Sequence, residues 1–151
     1  MTGNGVVSET LTVHYDYTVG EVAARFMAGI RERKLLATRC AHSTLTYLPP
    51  RAYCERSFAP CEEWVEAGPE GVVEASTVVT RGFQGGPEPP YAIAFVRLDG
   101  IDTAVANYVR GVDLSDARAA AARLAPGTRL RVEFDPEPTG RITDFHFVPV
   151  A

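Results

Sequence analysis

From Gly71 onward the chain carries five short runs rich in β-branched and aromatic residues, with one alanine-rich run between the third and the fourth. GVVEASTVV (71–79) is the first, and the loop RGFQGGPEPP (81–90) behind it is too dense in glycine and proline for regular structure. YAIAFVRLDG (91–100) is the second and ends in an Asp-Gly turn signal. DTAVANYVRG (102–111) is the third, with Thr103, Val105, Asn107 and Val109 alternating against Ala104, Ala106 and Tyr108. Ser115 is placed to cap the helix SDARAAAARLAPG, which Pro126-Gly127 stops. TRLRVEF (128–134) puts Leu130, Val132 and Phe134 on one face, and RITDFHFVPV (141–150) follows the turn PEPTG as the fifth run. Five strands with a helix between the third and fourth is the element order of an OB-fold barrel. The expected class is therefore mainly β with helices, the barrel occupying 67–151.

The preceding residues divide into three pieces. Residues 1–17 read as an extended arm, because TLTVHYDY (10–17) sets Leu11, Val13, Tyr15 and Tyr17 against Thr10, Thr12, His14 and Asp16 with period two. Such an arm lies either on its own barrel or on a partner. Residues 18–36 read as a helix with Thr18 and Glu21 spaced as a capping box. Val22, Phe26 and Ile30 recur at i+4 and form one apolar stripe, a core face or a partner face. Residues 37–66 read as a hairpin containing all three cysteines.

Composition narrows the function classes. A hydrophobic fraction of 46% sets disorder aside, and no apolar run reaches the roughly 20 residues of a membrane helix. MTGNGVVSET lacks the basic start and apolar core of a signal peptide. An odd cysteine count argues against a disulfide framework and for a reducing cytoplasm. The net charge of −4 disfavours a nucleic-acid footprint. Its distribution is uneven: seven cations (Arg25, Arg31, Arg33, Lys34, Arg39, Arg51, Arg56) against Glu32 and Glu55 make 25–56 +5 and leave −9 elsewhere. That segment is either a solvated face or a site for a polyanionic ligand or an acidic partner.

CAHSTLTYLPPRAYCERSFAPC (40–61) has the outline of two zinc knuckles. A structural zinc wants four soft or borderline ligands, commonly two C-x₂-C pairs brought together by a hairpin. Cys40 and Cys54 stand as the first ligand of each pair, but Ser43 and Ser57 occupy the second positions, and a hydroxyl stays protonated near neutral pH. Cys61 and His42 lie close enough in sequence to complete a rearranged set.

The order of RFMAGIRERKLLATRC, Pro49-Pro50-Arg51 before Cys54, GPEGVVEASTVV, PPYAIAFVRLDG and PTGRITDFHFVPV resembles the zinc-ribbon plus OB-fold proteins catalogued as domain of unknown function thirty-five. The resemblance runs from about Tyr15 to the C-terminus. It implies an N-terminal helix, a rubredoxin-like zinc ribbon and an OB barrel, in a non-catalytic subunit that partners thiolase-like acyltransferases, retro-aldolases or hydratases acting on acyl-CoA. The family's cysteines at 43 and 57 are serines here, so the ribbon is degenerate. Two readings follow. Either zinc is lost and Leu45, Tyr47, Leu48, Tyr53, Phe58 and Trp64 hold the hairpin by packing, the reading put first, or Cys40, Cys54, Cys61 and His42 form a remodelled site.

No nucleophile elbow, phosphate-cradling loop, H-E-x-x-H or paired carboxylates stand out. His14, His42 and His146 are the only histidines, and His146 between Phe145 and Phe147 is expected on the outer or mouth face of the barrel. The expected function is an accessory subunit that helps hold or shield a coenzyme A thioester. Arg39, Arg51, Arg81 and Phe83 are the candidate contacts to phosphate, acyl chain or partner, and Phe26 and Ile30 the partner face. A single-stranded nucleic-acid module is the alternative, using Tyr91, Phe95 and Tyr108 with Arg97 and Arg110. A free-standing acyl-CoA enzyme using cysteine or histidine is the third.

Overall fold

The computed structural model describes residues 12–150. Thr12 to Gly20 is an exposed, irregular lead-in, in which the Tyr15 and Tyr17 rings lie 6.1 Å apart. The expected strand does not form over the described part of the arm, since no neighbouring strand pairs with it and an unpaired run has no ladder to hold it extended. Thr10 and Leu11 lie outside the described residues.

Helix α1 spans Glu21–Arg31. It starts later than the capping-box spacing predicts: Gly20 is the N-cap, without a side-chain cap. Glu21 thereby becomes the first helical residue, where its carboxylate meets the positive end of the helix dipole. The far end is tied down by cations. Arg31 donates to the Thr139 carbonyl through Nε (3.2 Å) and Nη2 (3.0 Å), and Arg33 donates to the Pro136 carbonyl. Gly140, at φ 93°, is required there, because a Cβ would stand 2.8 Å from the Met27 carbonyl oxygen.

Three short strands follow, β1 (Leu36–Arg39), β2 (Thr46–Tyr47) and β3 (Glu63–Glu66), in an antiparallel sheet of order β2-β1-β3. The Arg25 guanidinium stacks 4.4 Å over the Trp64 ring and so links α1 to β3.

The remaining strands, β4 (Glu70–Val79), β5 (Tyr91–Leu98), β6 (Val105–Val109), β7 (Arg129–Phe134) and β8 (Phe145–Pro149), close a barrel of order β4-β5-β6-β8-β7. The β6–β8 pairing is parallel and every other barrel pairing antiparallel. Helix α2 (Ala117–Arg123) lies between β6 and β7, as the sequence predicts. Its cap is Asp116 rather than Ser115, accepting from the amides of Arg118 and Ala119 at 2.9 and 3.0 Å.

Two expected strands are shorter than their sequence runs. Asp102 and Thr103 leave the β6 ladder to bond Thr46 of β2 and Leu48 just after it. Residues 142–144 form a 3₁₀ turn, because the buried Asp144 carboxylate accepts from the amides of Thr139, Gly140 and Arg141 at 2.6, 2.8 and 2.9 Å. These three bonds hold its pKa below the ordinary aspartate value against the opposing effect of burial, the Arg141 amide contributing most.

Val73, Ala94, Val96, Leu98, Leu130, Phe145 and Phe147 fill the barrel, and Phe26, Ile30, Leu35, Ala37 and Leu48 belong to the same buried cluster. The helix stripe is therefore spent inside this chain. Phe26 and Ile30, expected at a partner surface, are core residues here, because α1 lies against the barrel turn at 136–140 instead of projecting from it. A second, separate cluster contains Cys40, Tyr47, Cys54 and Cys61.

Candidate functional site

The second cluster is built by two turns of the same shape. Cys40 donates its amide to the Leu45 carbonyl and Cys54 to the Ala59 carbonyl, each at 2.9 Å. The fourth residue after each cysteine is left-handed, Thr44 at φ 61° and Phe58 at φ 55°. Neither is glycine, and a side chain in that region costs about 1–2 kcal/mol. At the second turn the amides of Arg56 and Ser57 both point at Cys54 Sγ, at 3.4 Å. A loop whose amides converge on a sulfur has the backbone arrangement of a metal knuckle.

The side chains cross-pair between the turns. Ser57 Oγ lies 3.4 Å from Cys40 Sγ and Ser43 Oγ 3.2 Å from Cys54 Sγ. The buried Tyr47 hydroxyl adds a fourth polar contact to Cys54, at 3.2 Å. Burial alone would push the Cys54 thiol up, yet the hydroxyls of Ser43, Ser57 and Tyr47 together with the Ser57 amide hold its pKa at about 5. Cys40 is also lowered, first by the Ser57 hydroxyl and then by the Ser43 amide. The remaining two groups move the other way. Tyr47 is raised by its bond to Cys54 and by burial, and Cys61 by burial and by the neighbouring Cys40 and Cys54 sulfurs.

These donors do not fit a four-coordinate zinc. Ser43 and Ser57 fill two of the four ligand positions and are engaged with the two thiols, and the His42 side chain is exposed rather than turned into the cluster. Among the described residues no group of three or more His, Cys, Asp or Glu is arranged to hold a metal ion. Cys61 does join Cys40 and Cys54 in the buried cluster.

Of the side chains named for packing, Tyr47 and Leu48 are buried, whereas Tyr53 is 65% and Phe58 80% exposed. Phe58 is displayed to solvent at the left-handed position of the second turn. Arg51 is brought to the cluster: it stacks 4.9 Å over the Tyr47 ring and pairs with Glu55. Arg39 is exposed on β1, and Arg81 and Phe83 sit on the exposed β4–β5 loop, where the Phe83 ring covers Gly86.

Asp102 and Thr103, expected as ordinary members of the third strand, instead join the knuckle to the barrel. Asp102 accepts the Thr46 amide at 2.8 Å and returns its own amide to the Thr46 carbonyl at 3.0 Å. The Thr103 hydroxyl accepts from the Leu48 amide at 2.8 Å and donates to the Leu48 carbonyl at 2.9 Å. Their place just after the Asp99-Gly100 turn was visible in the sequence, but their partners, more than fifty positions away, were not.

His146 lies on the outer side of β8, opposite the barrel-filling Phe145 and Phe147, and is buried there rather than exposed. Residues 145–148 are all buried because β8 lies between β6 and β7, and the face opposite Phe145 and Phe147 is covered by Glu133, Asp135 and Arg110. Burial and then the Arg110 charge lower its pKa, against the pull of the two carboxylates, each 3.6 Å away. Its Nδ1 has no hydrogen-bond partner. Among the described residues no histidine is hydrogen-bonded to a serine, threonine or cysteine that could serve as a nucleophile.

On the β5–β6 face, Phe95 is 50% exposed and Tyr91 meets Tyr108 edge-to-face at 5.8 Å. The cations of that face are already paired, Arg97 with Glu74 at 2.8 Å and Arg110 with Asp135 at 3.3 Å. No helix among the described residues is long and apolar enough to cross a membrane.

Comparison with known proteins places this geometry. No curated protein sequence matches the chain significantly. The chain is similar in structure to the Ltp2-ChsH2(DUF35) aldolase, with a TM-score of 0.69 and 20% identity over 90% of this chain and 100% of that one. It is also similar to a DUF35-family protein of unknown function from Sulfolobus solfataricus, with a TM-score of 0.62 and 18% identity over 87% of each chain. Residues 64–135 match the family model of the ChsH2 C-terminal OB-fold domain. The barrel therefore has an OB fold, and over residues 64–135 it is similar to the ChsH2 C-terminal OB-fold domain.

Proposed function

We propose that this chain is a non-catalytic partner subunit of an acyl-CoA enzyme of thiolase-like or aldolase type, and that it helps hold or shield the coenzyme A thioester. The observation that carries the reading is the likeness, across the whole of the neighbouring chain, to the DUF35 component named together with an aldolase. The lack of a nucleophile–base pair among the described residues supports a non-catalytic role. The salt-paired Arg97 and Arg110 leave little free positive charge for a nucleic-acid backbone, which counts against the single-stranded nucleic-acid reading.

The docking surface in this proposal is the knuckle tip and the lead-in, with Phe58, Tyr53, Tyr15 and Tyr17 as apolar anchors and the exposed Arg39 as a cation. Exposed aromatics of this kind carry a disproportionate share of interface energy. Arg81 and Phe83, on the β4–β5 loop, are the candidates for the thioester. The knuckle is proposed to stand without zinc, its thiols held by hydroxyls in place of the metal.

Co-expression with a thiolase-like or aldolase gene from the same genomic neighbourhood, followed by native mass spectrometry, tests all three statements. A stoichiometric complex without a zinc mass is the expected result. Phe58→Gly, which relieves the left-handed backbone, should weaken the complex by about tenfold or more while leaving the fold intact. A chain that stays monomeric and binds neither such an enzyme nor acyl-CoA overturns the proposal.

A further inference from the structure

A cavity of about 220 Å³ opens where the end of α1, the connection from β3 to β4, and β7 come together. Its floor is apolar, formed by Leu35, Ala67, Val132 and Phe134, and Arg33 and Lys34 stand at its mouth. Among the described residues neither cation makes an ion pair. Glu66 is the one carboxylate of the lining, so the two cations leave a single net positive charge. Arg33 is held in place twice over. Its backbone is left-handed at φ 60°, and one guanidinium nitrogen is tied to the Pro136 carbonyl, which leaves the rest of its donor fork free. The nearby amides of Ala67 and Val132 are already bonded, to the carbonyls of Leu35 and Pro69. Polar contact with an occupant therefore comes from the two cationic side chains.

We infer that this cavity binds a small amphipathic anion, its apolar body on the Leu35–Phe134 floor and a single carboxylate at Arg33 and Lys34. An apolar floor recovers hydrophobic free energy from a short aliphatic chain, while a planar guanidinium beside an ammonium selects a carboxylate over a neutral head. The volume lies below the roughly 300–1,000 Å³ of pockets that enclose drug-sized ligands. The occupant is thus either a free short-chain carboxylate or the carboxylate-bearing end of a longer molecule. The site is separate from the knuckle tip and from the β4–β5 loop, so it stands or falls independently of the proposed docking surface.

Amide chemical-shift titration of the whole chain tests the inference with hexanoate, hexanol and adipoyl-coenzyme A as probes. Hexanoate should shift Leu35, Ala67, Gly68, Val132 and Phe134 saturably, and hexanol should bind about tenfold more weakly or worse, the loss expected for one charge-assisted contact. Arg33→Gly with Lys34→Gln, which keeps the left-handed backbone available, should bring hexanoate down to the hexanol level and leave hexanol unchanged. Ala67→Leu should block both. Tighter binding of adipoyl-coenzyme A than of hexanoate identifies the carboxylate end of a thioester as the source, and the reverse order identifies the free acid. Three results would each overturn the inference: no saturable shift at these amides with any probe, equal binding of hexanol and hexanoate, or a double variant that binds hexanoate as the parent does.

Discussion

The barrel and the knuckle solve the same problem with different materials. The barrel closes on itself and fills its interior with alternating aliphatic and aromatic side chains, down to fully buried Leu130, Phe145 and Phe147. The knuckle has only two-residue and four-residue strands and too few apolar side chains for a core of its own. It is centred on three thiols, two serine hydroxyls and one tyrosine hydroxyl, and is pinned to the barrel by Asp102 and Thr103. Apolar burial is undirected and tolerant of detail. A sulfur–hydroxyl cluster is directional, and each of its members depends on the others.

The contrast can be broken first at its stronger side. Phe147→Ala should cost about 3–5 kcal/mol, the usual penalty for emptying a large buried aromatic site. Because Phe26, Ile30 and Leu48 share the barrel's cluster, that loss should appear in a single denaturant transition. Trp64, the one tryptophan, reports on the three-stranded sheet and circular dichroism on the whole. Two separated transitions would show instead that the knuckle folds apart from the barrel.

Tyr47→Phe probes the weaker side. It removes one hydroxyl from Cys54 and should cost about 1 kcal/mol, the typical net value of a single hydrogen bond. Hydrogen exchange should quicken mainly over residues 40–61. An even loss of protection across the barrel would contradict the division into two clusters.

The pH response should also be confined to the knuckle. Cys54 is depressed from 9.0 to about 5, so the stability it contributes is complete above pH 9, declines as the pH falls, and is gone below about 5. Cys61 and Tyr47 are raised, so their contributions are lost only on the alkaline side. In chelator-treated protein, amides of 40–61 should therefore open progressively between pH 8 and 5, while thiolate absorbance should persist until near pH 6 and fall around pH 5. Ser43→Ala should flatten both curves by removing a hydroxyl that holds Cys54 down. A flat parent profile would mean that Cys54 remains a neutral thiol.

The smallest expected effect lies on the barrel surface. Arg97→Gln breaks an ion pair with Glu74 whose two side chains are nearly half exposed, and should cost at most about 1 kcal/mol, less at high salt. A larger loss would mean that the barrel leans on surface charge as well as on its core.

The barrel strands and α2 were legible because alternation and alanine content are local signals, and each appears within a few residues of its expected position. The knuckle turns were legible as a repeated Cys-x-x-Ser spacing. What the spacing could not convey was that each serine faces the cysteine of the opposite turn, since that pairing exists only once the two turns are brought together. The stripe Val22–Phe26–Ile30 was read correctly as apolar, while the surface it covers was open. Nothing local says that Arg31 and Arg33 will fasten the helix to carbonyls more than a hundred positions away.

By itself, then, the sequence determined the element order, the closed barrel class and the serines at 43 and 57, because periodicity, turn residues and residue identity are properties of short segments. The tertiary structure decided that Phe26 and Ile30 are core, that Phe58 is displayed, that His146 is enclosed and that Arg33 and Lys34 overlook a cavity. Those outcomes depend on which distant surfaces meet, and burial, charge pairing and exposure are set only when they do.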